Sequence, residues 1–112
     1  MLFALSIKRD ALGMLKEEYP EYEIVISKGI IKELKRLAST KKKNGRDAKI
    51  ALLMLREKDY ILNKNEGYAD EWIIKEASTT GALVCTNDTK LRRKLRSEGV
   101  GVVTLGIGGQ FR

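Results

Sequence analysis

Tyr68-Ala69-Asp70-Glu71-Trp72-Ile73-Ile74 and, a few residues on, Gly81-Ala82-Leu83-Val84-Cys85-Thr86-Asn87-Asp88-Thr89-Lys90-Leu91-Arg92-Arg93 decide how this chain is read. The first stretch carries acids where an apolar helical pattern opens. The second passes from a short apolar run, bounded by glycine and polar residues, into another helical pattern. Helix, buried strand and helix in succession indicate an α/β fold. In that layout a helix start and the carboxyl end of a neighbouring strand face one edge of a parallel sheet, the edge at which open sheets bind ligands. Asp70 and Asp88 are thus expected at one rim, with arginines close behind. Carboxylates there suit a hard divalent cation, and the arginines suit a phosphate-bearing substrate.

Working outward, residues 1–18 read as a helix, broken near Pro20, and residues 23–26 as a strand. Ser27 stands where a helix cap would, with Ile30, Ile31, Leu34, Leu37 and Ala38 following at core-facing helical spacing. Residues 40–46 hold no apolar side chain and read as an exposed basic loop around Lys41, Lys42, Lys43 and Arg46. Residues 48–55 are apolar on nearly every side, so that helix is expected to be deeply buried or to pack against a second copy of the chain. A strand at 60–62, a helix at 71–79, a strand at 82–85, a peripheral helix at 89–97 and a last strand at 100–105 complete the pattern. One domain over residues 1–105 is expected, with a flexible tail at 106–112.

Composition excludes several chemistries. The chain has no histidine, which rules out a histidine base for a serine or cysteine nucleophile and any histidine-containing zinc site. The single cysteine, Cys85, cannot form an intramolecular disulfide and reads as a small core residue. No apolar run is long enough to span a membrane, and Lys8, Arg9 and Asp10 follow the opening apolar residues too closely for a secretory signal. A cytoplasmic location is expected. Lysine and arginine number 22 against 15 acids, a net charge of +7, which favours an anionic partner.

Three carboxylates are candidates for chemistry: Glu33, Asp70 and Asp88. Each has a plainer role. Asp70 and Asp88 stand where aspartates cap helices or complement the dipole, and Glu33 lies between Lys32 and Lys35 on a solvated helix face. The run Lys90, Arg92, Arg93, Lys94, Arg96 can hold phosphates or simply face water. Tyr68 and Trp72 can stack on bases, although Trp72, beside Ile73 and Ile74, reads more simply as part of the core edge.

Taken in order, Val25-Ile26-Ser27-Lys28-Gly29-Ile30-Ile31-Lys32-Glu33-Leu34, Tyr68-Ala69-Asp70-Glu71 and Gly81-Ala82-Leu83-Val84-Cys85-Thr86-Asn87-Asp88 with Leu91-Arg92-Arg93 resemble a PIN domain, the nuclease domain of VapC-type toxins and of ribosomal-RNA processing factors. The resemblance implies a mostly parallel sheet between helical layers and RNA cleavage dependent on Mg²⁺ or Mn²⁺. It also implies roles for Glu33, Asp70 and Asp88 as catalytic metal ligands and for Thr86 and Asn87 in shaping the site. In that family the first strand ends in an Asp-Thr-Asn-like motif. Met1-Leu2-Phe3-Ala4-Leu5 resembles instead the helix after it, so the first strand and its aspartate are expected to be absent, and Asp10 is no substitute. The strands at 23–26 and 82–85 are then expected to pair directly or across a segment of a second chain. The leading expectation is an endoribonuclease, with ribosomal RNA processing or toxin activity as its setting. A catalytically impaired RNA-binding or assembly module, and a purely structural dimerisation domain, are the alternatives.

Overall fold

The computed structural model describes residues 1–5 and 11–104. Asp10 and the expected tail at 106–112 lie outside the described residues. Among the described residues, five parallel strands form one sheet: β1 (Leu2–Ala4), β2 (Ile24–Ser27), β3 (Ile61–Asn63), β4 (Leu83–Cys85) and β5 (Val102–Val103), in the order β3-β2-β1-β4-β5. The helices are α1 (Ala11–Glu18), α2 (Lys28–Ala38), α3 (Lys43–Met54), α4 (Ala69–Thr80) and α5 (Thr89–Ser97).

The expectation of a missing first strand is corrected. Leu2–Ala4 is the central strand, hydrogen-bonded to β2 on one side and β4 on the other, so those two strands do not pair directly. Leu2, Phe3 and Ala4 are each 2% exposed or less. A strand buried on both faces is an apolar run without alternation, and three such residues carry no period that separates strand from helix. The helix read over residues 1–18 is accordingly confined, among the described residues, to Ala11–Glu18.

Side chains alternate across the sheet as strand geometry requires. Leu2, Ala4, Ile24, Ile26 and Cys85 point into the layer made by Leu12 and Leu15 of α1, Leu34 of α2, and Ala48 and Ala51 of α3. Phe3, Val25 and Val84 point the other way, against Ile73 and Ala77 of α4 and Leu91 and Leu95 of α5. Trp72 meets Phe3 edge-on, with ring centroids 5.9 Å apart. α3 begins at Lys43, so residues 43–46 of the expected basic loop are helical. Its apolar face is divided, with Ala48 and Ala51 buried in this chain while Ile50, Leu53 and Met54 face outward. The last strand is shorter than expected, Val102–Val103.

Connections from β1 run outward to β2 and β3, and those from β4 run the other way to β5. The strand order therefore reverses between β1 and β4. Beyond the carboxyl ends of these two strands lies the crevice that a doubly wound sheet offers to ligands.

Candidate active site

At that crevice β1 gives way to Leu5, whose N–H donates to the Cys85 carbonyl at 2.9 Å, and β4 gives way to Thr86, Asn87 and Asp88. Thr86 is buried and its hydroxyl accepts the Asp88 N–H at 3.2 Å, which fixes the turn out of the sheet. Asp88 is the N-cap of α5, its Oδ1 accepting the Leu91 N–H at 3.1 Å. Asp70 occupies the first turn of α4, whose amino end projects over the same edge. Leu5, Asp70, Glu71, Thr86, Asp88 and Leu91 line one cavity of about 410 Å³.

Glu33 is at the same edge but in the neighbouring cavity, of about 500 Å³, with Gly29, Lys32, Arg36, Glu66 and Gly67. Its carboxylate is held by Arg36 through two hydrogen bonds, at 3.1 and 2.5 Å. That contact lowers the Glu33 pKa below the usual carboxylate range, the hydrogen bond from Arg36 being the main cause. Ile30, Tyr68 and Ala69 line both cavities and form the ridge between them.

Among the described residues no three acidic or cysteine side chains gather into a group able to hold a metal ion. Glu33, expected beside Asp70 and Asp88, lines the neighbouring cavity. Asp70 and Asp88 share a cavity, while Glu33 forms an ion pair of the i,i+3 kind that its spacing to Arg36 foreshadows. The two aspartates suit a hydrated Mg²⁺ or Mn²⁺ better than a closed cage, because Mg²⁺ keeps several waters and typically takes one or two carboxylates. Two residues that the sequence pattern does not single out, Glu71 and Leu5, also belong to this edge. Both line the cavity, and Leu5 stands at the end of the central strand where the family resemblance places an acid.

On α5, Lys90, Arg93, Lys94 and Arg96 are exposed, while Arg92 is partly covered and donates from Nη2 to the Thr89 hydroxyl at 3.3 Å. Lys41, Lys42, Lys43 and Arg46 are exposed in the helical layer on the other face of the sheet. No helix among the described residues is long and apolar enough to cross a membrane.

Comparison with known proteins agrees with this architecture. Ribonuclease VapC9 of Archaeoglobus fulgidus is 28% identical over 103 residues, covering 91% of this chain and 74% of that protein. The structure of the PIN domain endonuclease Utp24 superposes with a TM-score of 0.68 at 18% identity, covering 99% of this chain and 88% of that one, which is a likeness of fold. The model of the PIN-like domain matches residues 6–107, nearly the whole chain, and on that ground the protein belongs to the PIN-like domain family.

Proposed function

We propose that the protein is an endoribonuclease that cuts RNA phosphodiesters with the help of Mg²⁺ or Mn²⁺ held by Asp70 and Asp88. One observation carries this reading: the two carboxylates and Thr86 line a single cavity where the strand order reverses. A bound ion of this kind supplies a water of lowered pKa and neutralises charge developing on the phosphate. The protein's own part is positional. Thr86 fixes the turn that delivers Asp88, the α5 cap orients its carboxylate, and Asn87 shapes the rim beside it. Lys90, Arg93, Lys94 and Arg96 hold flanking phosphates, with Arg92 contributing less because it is tied to Thr89. Lys41, Lys42, Lys43 and Arg46 add attraction at longer range. Ribosomal RNA is the substrate class we favour, and a homodimer closing over Ile50, Leu53 and Met54 is the assembly.

A circular single-stranded RNA separates this activity from its rivals. Conversion to linear product with Mg²⁺ or Mn²⁺, abolished by EDTA, and with 5′-phosphate ends, is the expected result. Products ending in a 2′,3′-cyclic phosphate would show attack by the ribose 2′-hydroxyl instead, and an uncut circle would leave no nuclease.

A further inference from the structure

Tyr68 is the most exposed aromatic side chain among the described residues, 75% accessible, and it follows directly on a segment, residues 63–67, that is held from several directions. Gly29 at the start of α2 donates its N–H to the Asn65 carbonyl at 2.9 Å. A Cβ on Gly29 would lie 2.7 Å from the Gly67 carbonyl oxygen, so glycine there lets the 65–67 segment sit directly on the helix. The Asn63 side chain accepts the Asn65 N–H at 2.9 Å, Trp72 Nε1 donates to the Gly67 carbonyl at 3.3 Å, and Lys32 pairs with Glu66 at 3.0 Å. The ring is thus displayed on a braced loop, on the ridge between the Asp70–Asp88 cavity and the Glu33–Arg36 cavity.

The ring therefore stands largely in solvent at the end of a braced segment. A flat π surface beside a phosphate-handling cavity is what an unpaired base stacks on, and a pre-ordered platform loses little entropy when it does. The neighbouring cavity, about 500 Å³ and walled by Lys32, Glu33 and Arg36, has room and hydrogen-bonding groups for the nucleotide beyond the ridge. We infer that Tyr68 is the stacking platform for the unpaired base next to the cleaved phosphate, and that the Glu33–Arg36 cavity receives the following nucleotide. This inference rests on the ribonuclease reading for the meaning of the adjacent cavity. It selects single-stranded over duplex RNA, because a base engaged in a duplex cannot turn out onto the ring.

The test measures binding apart from cleavage. Fluorescein-labelled single-stranded RNA of about twelve nucleotides is titrated in EDTA with the wild-type protein, Tyr68→Phe and Tyr68→Ala, followed by anisotropy, with circular dichroism to establish that each variant folds. Tyr68→Ala is expected to bind about tenfold more weakly, Tyr68→Phe to bind as wild type, and duplex RNA of the same sequence to bind all three alike. In Mg²⁺, Tyr68→Ala is expected to raise KM with little change in kcat. Equal affinity of Tyr68→Ala and wild type for the single strand would overturn the inference, as would Tyr68→Phe losing as much as Tyr68→Ala. If wild type binds through Tyr68 but cuts nothing, the nuclease reading fails and the platform stands. If it cuts and Tyr68→Ala changes neither affinity nor KM, the platform fails and the nuclease reading stands.

Discussion

Replacing Asp88 separates its structural duty from its chemical one. Its Oδ1 caps α5 through the Leu91 N–H at 3.1 Å, and its carboxylate also lines the candidate cavity. Asparagine caps helices about as well as aspartate, so Asp88→Asn keeps the hydrogen bond and removes the charge. The expected loss of stability is the charge–dipole part alone, and for an exposed cap this is near the lower end of about 0.3–1 kcal/mol. Asp88→Ala removes the cap as well and should cost about 1 kcal/mol more, a fall of about 4 °C in Tm for a domain of this size. Both variants should lose Mg²⁺-dependent cleavage to the same extent, because neither offers the ion an anionic oxygen. Urea denaturation of the three proteins gives the stabilities, and single-turnover cleavage of end-labelled RNA gives the rates. If Asp88→Asn cleaves at the wild-type rate, Asp88 is a helix cap and nothing more.

Further outcomes follow from the packing and the charges. Phe3→Ala should destabilise the fold by about 3 kcal/mol or more, since the ring is buried on the central strand against Trp72, and an unchanged urea midpoint would remove Leu2–Ala4 from the core. Arg93→Ala with Lys94→Ala should reduce the salt dependence of single-stranded RNA binding by about 1.4 in log–log slope, and an unaltered slope would place the phosphates elsewhere. Burial pushes the Cys85 thiol up to about 11, above its ordinary 9.0. Its contribution to stability is complete below the unfolded value and is lost as pH rises from 9.0 through about 11, so Cys85→Ala should flatten the alkaline limb of the stability profile.

Legibility tracked the local signals. α2 was readable because Ser27 is a polar residue at the end of an apolar run, followed by apolar side chains at helical spacing, and its hydroxyl does accept the Ile30 N–H at 3.2 Å. Asp70 and Asp88 were readable as rim residues because strand and helix order alone sends them to one edge. β1 was not, since three residues buried on both faces have no period. The start of α3 was hidden for a different reason. Lys43, Asn44, Gly45 and Arg46 show no apolar pattern, and the helix begins there because Gly45 lets it turn tightly against α2, where a Cβ would lie 2.1 Å from the Thr40 carbonyl oxygen. The Glu33–Arg36 pair was readable from i,i+3 spacing, whereas the placement of Glu33 in a cavity beside that of the aspartates depends on how the 65–67 segment packs on α2, which no local pattern carries.

On the proposed function, Asp70 and Asp88 together supply metal-dependent cleavage of RNA. Single-turnover cleavage of labelled single-stranded RNA by wild type, Asp70→Asn and Asp88→Asn, with Mn²⁺ and with EDTA, tests it most directly. Wild type is expected to cleave in Mn²⁺ and not in EDTA, with a fall of at least about a hundredfold in each variant. Cleavage that persists in EDTA, or that survives the loss of both aspartates, would contradict it.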